Sequence, residues 1–277
     1  VPRVTPLAVI RSSHPGPTAA VTVLAAILAT GFSLPLVSAA FVVVAVLFNQ
    51  LSVGLSNDAR DAVRDSEVGR MDKPVVSGDI TEGALWRLAI MFALLSLLLS
   101  AFVHPGVVIA QAIFLLAGWT YNLGLKATVF SVACYAIGFA ALPAIVSFGA
   151  ATPALAPWWV IVIAAGLGIA AHFGNVMPDR ADDHLHGVRG LPQRLSVRTS
   201  AVILTAMIMA MSGVLVWGAG SGALSLSVPF AAVAAGVAIT GGMIALGDPR
   251  SRAPFRAAIA ASVILALGLS TAVLLAG

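Results

Sequence analysis

Every formal charge in this 277-residue chain falls in the N-terminal arm or in, or within about a turn of, alternate connections between apolar segments. The apolar segments number about nine, at approximately 18–33, 36–57, 83–103, 106–123, 129–149, 157–177, 199–219, 227–246 and 255–276, each near the ~20 residues a helix needs to cross a ~30 Å hydrocarbon core. The 15 Lys and Arg and the 11 Asp and Glu cluster in the arm and around the connections 2–3, 4–5, 6–7 and 8–9, and the other connections carry none. A one-sided distribution of this kind arises only if the segments span a membrane in alternation. The fold class expected is therefore all-α, a multi-pass transmembrane bundle of about nine helices in one domain covering 1–277. Composition agrees, with 60% hydrophobic and 9% charged residues and a mean hydropathy of +1.02, where a soluble domain carries about 25% charged residues. The basic excess assigns the charged face to the cytoplasm, with the N-terminus inside and the C-terminus outside. The pI near 10.0 follows from arginines and lysines beside anionic lipid and requires no nucleic-acid partner. The first segment leads directly into a second, so it reads as a retained helix and not as a cleaved leader. Cys134 is the single cysteine, which excludes an internal disulfide.

Within the charged connections the chain repeats itself. Asn57, Asp61, Asp65, Gly69 and Pro74 recur 118 positions later as Asn175, Asp179, Asp183, Gly187 and Pro192. The segments 57–78 and 175–194 are thus related by an internal repeat. If the second helix continues to Asp65, Asn49, Val53, Asn57, Asp61 and Asp65 follow steps of four and rise about 6 Å per step along one face. The end of the sixth helix offers Asn175, Asp179 and Asp183, with His172 about one turn deeper.

Carboxylates so spaced repel one another unless a counter-ion is present, and the cost grows near hydrocarbon. Mg²⁺ resolves the conflict, because it is a hard cation that takes oxygen ligands from one or two carboxylates together with substrate phosphates. Asn57, Asp58, Asp61, Asp65, Asp179, Asp182 and Asp183 are the candidate metal residues. The competing explanation is a solvated acidic loop balanced by Arg60, Arg64, Arg180 and Arg189. Turn formers and cations follow each cluster, so Arg70, Lys73, Arg189 and Arg194 are candidates to contact phosphate oxygens. The connection after the fourth helix reads Tyr121-Asn122-Leu123-Gly124-Leu125-Lys126, and its lone cation is placed to neutralise a leaving diphosphate.

The Asn57-Asp61-Asp65 pattern, the second Asp179-Asp183 pair, the Tyr121 and Lys126 element and the nine helices together resemble the UbiA superfamily of intramembrane prenyltransferases. Tyr121 and Lys126 are separated by four residues where many members have three. The resemblance implies a helical cavity whose cytoplasmic mouth binds an isoprenyl diphosphate through Mg²⁺, using Asp61, Asp65, Asp179, Asp183 and Lys126, and promotes its ionisation. It further implies transfer of the isoprenyl group to a hydrophobic, aromatic or otherwise electron-rich acceptor, in a bacterial or archaeal plasma membrane. A UbiA-type terpene cyclase, which needs no acceptor, is the alternative. A secondary transporter is a third class, disfavoured because the repeat lies at helix ends and not at the midplane. Phe48, Trp119, Tyr121 and Phe173 are the aromatic candidates for carbocation contact. Polar residues placed to orient an acceptor are Asn49, Gln50, Gln111, Ser147 and His172, with Asn49 and His172 expected to face one another across the cavity.

Overall fold

A computed structural model of the chain describes residues 4–180, 183 and 187–276, and among these residues every regular element is helical. A short helix α1 (Pro6–Ser12) and the first long helix α2 (Pro15–Gly31) are each opened by proline, whose missing N–H is harmless in a first turn. The chain continues through α3 (Leu36–Glu67), a single turn α4 (Pro74–Ser77), α5 (Glu82–Ala101), α6 (Pro105–Leu123), α7 (Ser131–Ser147) and α8 (Trp158–Val176). A second single turn α9 (Leu191–Arg194) precedes α10 (Val197–Gly218), α11 (Leu224–Gly247) and α12 (Ala253–Ala276). Thr81 and Ser196 cap α5 and α10 by accepting the Ala84 and Thr199 amides.

Seven of these helices are long and apolar enough to cross a membrane, and α2 and α7, at 17 residues each, are shorter apolar helices. The nine long helices described match the expected spans to within a few residues at most ends, so the chain is an integral multi-pass membrane protein. The large deviation is α3, which runs ten residues past the expected 57. No glycine or proline interrupts 55–68, and Asp61 and Arg64 form an i,i+3 ion pair on its last turns. At ~1.5 Å per residue α3 is about 48 Å long, so its acidic end projects beyond a ~30 Å core. It stops at Val68, where Gly69 takes a left-handed φ of 69°.

Neighbouring helices pack in sequence around the bundle, and α12 closes the ring against α2, while α3, α6, α7 and α8 complete the inner wall. Polar side chains tie the inner helices together. Ser52 donates to the Ala89 carbonyl of α5 at 2.7 Å, Gln111 to the Ala45 carbonyl of α3 at 2.9 Å, and Asn122 to the Val53 carbonyl at 2.8 Å. Each such bond contributes on the order of 0.6–2 kcal/mol in a membrane. Large apolar side chains on the outward faces, such as Leu94, Leu98, Met209 and Met243, are exposed, as lipid contact requires.

Candidate active site

One cavity of about 660 Å³ opens among α2, α3, α6, α7, α8 and α12, and both acidic motifs lie on its wall. Asn57, Asp61 and Asp65 reach it from the projecting end of α3, and Asn175, Asp179 and Asp183 from the end of α8 and the segment beyond. The two motifs are thus brought together, although their backbones differ. Regular helix carries the first, whereas Pro178 removes an amide after α8 and turns Met177–Asp179 into a single 3-10 turn.

Asp61, Asp65 and Asp179 are paired with the protein's own cations, and Asp183 with an amide. Asp61 accepts from Lys126 through one oxygen and from Arg64 Nη2 through the other at 3.0 Å, and Arg64 also reaches Asp65 at 3.6 Å. Arg252, in the connection just before α12, stands 3.6 Å from Asp179, and Gln193 donates to Asp183 at 2.9 Å. Lys126 sits on a short 3-10 turn beneath Gly190, where a β-carbon would stand 2.6 Å from the Lys126 carbonyl; only glycine lets the two loops close so tightly. Burial pushes the Lys126 ammonium below the ordinary lysine range, and the Asp61 carboxylate works against that shift. Burial raises the Asp183 carboxyl, with the Gln193 hydrogen bond opposing it. Tyr121 lines the wall beside these groups, its ring edge-on to Tyr135 at 5.2 Å, and Asn175 donates to the Tyr135 hydroxyl at 3.3 Å.

Several expected residues sit elsewhere. Asp58 is fully buried and off the wall: one oxygen is held by Lys73 at 2.6 Å and by His14 at 2.8 Å. It pins the α1–α2 junction and the segment after α3 to the bundle, and is displaced as a metal candidate because its position is about 100° around the helix from Asn57. Lys73 lines the cavity, yet its ammonium is committed to Asp58. Arg70 also lines it and pairs with Asp72 at 3.0 Å, which holds that carboxyl below the usual range. Arg189 and Arg194 are exposed and off the wall, with Arg194 bonded to the Arg189 carbonyl. Asp182 lies outside the described residues.

Asn49 and His172 do not face each other across the cavity. Asn49 is buried against α6, donating to the Gln111 carbonyl at 3.5 Å. His172 is buried behind Tyr135, stacked at 4.4 Å and hydrogen-bonded to Ser131 at 3.0 Å. The reason is helical phase: steps of four advance ~40° beyond a full turn, so Asn49 has drifted ~80° from Asn57, while Gln50, seven residues away, lags by only ~20°. Gln50 accordingly lines the cavity. Of the expected aromatic residues Tyr121 alone lines it; Phe114, Tyr135 and Phe139 take the place of Phe48, Trp119 and Phe173. Sequence reasoning also missed His14 and Arg252, whose positions depend on how remote helices close the ring. Gly54 offered a weak signal for the first, since no β-carbon fits there against the Ser13 carbonyl.

Among the described residues no three His, Cys, Asp or Glu side chains form a ready-made metal cluster. Carboxylate and amide oxygens nevertheless converge on one cavity from two sides. That donor set fits Mg²⁺, which binds through few protein carboxylates and completes its shell with substrate oxygens and water.

The UbiA prenyltransferase family model matches residues 18–263. The chain belongs to the UbiA prenyltransferase family. Solved structures carry the same fold. A UbiA homologue from Aeropyrum pernix K1 superposes with a TM-score of 0.75 at 18% identity, covering 91% of this chain and 96% of that one. A UbiA homologue from Archaeoglobus fulgidus, solved with GPP and Mg²⁺, gives 0.71 at 17% identity, covering 95% and 99%. A digeranylgeranylglyceryl phosphate synthase gives 0.66 at 14% identity, covering 97% and 98%. No curated protein matches the chain. Within this UbiA member the repeated acidic motifs, Lys126 and the apolar wall share one enclosure.

Proposed function

We propose that the chain is a Mg²⁺-dependent membrane prenyltransferase that moves an isoprenyl group from an isoprenyl diphosphate to an aromatic or other electron-rich acceptor. The observation that carries this reading is the joint placement of Asp61, Asp65, Asp179, Asp183 and Lys126 on one cavity whose deeper wall is apolar. The A. fulgidus homologue bound to GPP and Mg²⁺ supports the same substrate class for this chain. The charged mouth is read as cytoplasmic, from the basic excess on that face.

In this reading the diphosphate lies between the ends of α3 and α8, and Asn57, Asp61, Asp65, Asn175, Asp179 and Asp183 hold it through Mg²⁺. Bound there, Mg²⁺ supplies charge stabilisation to the departing diphosphate. The allylic carbon–oxygen bond breaks with its electron pair going to the diphosphate oxygen, and Lys126 and Tyr121 stand beside that oxygen to stabilise the charge as it develops. Phe114, Tyr135 and Phe139 line the wall there and shield the allylic cation from water. An acceptor carbon then supplies the electron pair of the new bond, and the acceptor's proton is lost to solvent at the mouth. Gln50 is a polar group on the wall placed to orient an acceptor, which favours transfer over cyclisation.

The test is to incubate purified protein with Mg²⁺ and isoprenyl diphosphates of several lengths, with and without phenols and quinol precursors, and to weigh the products. A mass equal to acceptor plus isoprenyl group is expected. Conversion of the diphosphate to a cyclic hydrocarbon or alcohol with no acceptor present, and indifference to every acceptor offered, would replace the transferase by the cyclase.

A further inference from the structure

The internal repeat extends well beyond the two acidic motifs. After α3 the chain makes the proline-led turn α4, two long helices, and then the connection that carries Lys126. After α8 it makes the turn α9, with Pro192 in it, two long helices, and then the connection that carries Arg252. Lys126 and Arg252 therefore occupy corresponding connections. Each is paired with the corresponding acid, Lys126 with Asp61 and Arg252 with Asp179, and both line the same cavity.

We propose that Arg252 is a second diphosphate-binding cation, the repeat-related counterpart of Lys126, brought to the mouth by the α11–α12 connection. The proposal rests on the transferase reading above. The two pairs differ in how firmly they are held. The side chains of Lys126 and Asp61 are 14% and 10% exposed, whereas those of Arg252 and Asp179 are 61% and 49% exposed and their closest atoms are 3.6 Å apart. An exposed pair at that distance contributes little and exchanges readily. Two oxygens of a diphosphate offer the planar guanidinium a bidentate partner with a larger negative charge than one carboxylate carries. Arg252 thus rests on Asp179 and transfers to the diphosphate when that anion arrives, leaving Asp179 free to ligate. Nearby Arg250 is exposed and off the cavity wall, so it provides a control of equal charge in the same connection.

The test measures binding of inorganic pyrophosphate in the presence of Mg²⁺ to the purified full chain by calorimetry. Arg252→Gln should weaken pyrophosphate binding roughly tenfold, with Arg252→Lys recovering part of the loss and Arg250→Gln staying within about twofold of wild type. Binding of Mg²⁺ alone should not weaken in Arg252→Gln, because Asp179 loses only a competitor. Wild-type binding in Arg252→Gln, or an equal loss in Arg250→Gln, would overturn the assignment while leaving the transferase reading intact. A wild-type protein that does not bind pyrophosphate with Mg²⁺ would overturn both.

Discussion

The ends of α3 and α8 carry the same residues at the same spacing and hold them in different ways. The first motif rides on uninterrupted helix, with Asp61 and Asp65 buried at 7% and 2% exposure and locked by Arg64 and Lys126. The second leaves its helix at Pro178, and its acids are partly exposed, held by Arg252 and Gln193. A repeat in sequence thus yields a firm half and a looser half. In the proposed transferase the firm half is preorganised at the expense of burying charge, and the looser half can adjust as the substrate enters.

The most severe way to probe this contrast is to remove the acids singly. Asp61→Asn, Asp65→Asn, Asp179→Asn and Asp183→Asn should each lower turnover by about a hundredfold or more, since ligation needs the charge while Asn nearly keeps the shape. The halves should separate in thermal unfolding. Asp61→Asn, which strands Lys126 and Arg64, should shift the midpoint, and Asp179→Asn should leave it close to wild type. Equal shifts would erase the distinction.

Lys126→Met should cost about a hundredfold in kcat by removing a buried cation from the leaving diphosphate. Steady-state kinetics with an isoprenyl diphosphate would check it, and an effect confined to KM would place Lys126 in ground-state binding only.

Smaller effects are expected where the backbone itself is changed. Pro178→Ala restores the missing amide and allows α8 to continue, which should reorient Asp179 and weaken Mg²⁺ activation severalfold. A Mg²⁺ titration of activity unchanged from wild type would show that the 3-10 turn has no part in placing that acid.

Asp58→Asn should have the mildest effect on turnover, within about threefold per folded molecule, while lowering the thermal midpoint by loosening His14 and Lys73. A hundredfold loss of turnover with an unchanged midpoint would return Asp58 to the metal site.

How much of this was legible in the sequence depended on whether the relevant physics was local. Hydropathy marks the nine long helices because each must satisfy its own backbone in lipid, and one-sided charge orders them. The motif acids were legible because a carboxylate near hydrocarbon is costly and a repeat of five residues is specific. Asn49 was misplaced since steps of four drift ~40° around a helix per step, enough to exchange Asn49 for Gln50 within two turns, and His172, three residues before Asn175, lies ~60° around the helix from it. Asp58 lies one residue from Asn57, and only the fold shows that it faces His14 and Lys73. Arg252 is one of the cations in the connection between the last two long helices, and its place at the mouth emerges only when α12 closes the ring against α2.

In the proposed transferase the firm and loose halves grip a single diphosphate. Equilibrium binding of a non-hydrolysable geranyl thiodiphosphate in the presence of Mg²⁺ tests it most directly, in wild type, Asp61→Asn and Asp179→Asn. One ligand per chain is expected in the wild type, with affinity lost at least tenfold in either variant. Two ligands per chain, or loss in one variant and wild-type affinity in the other, would contradict it.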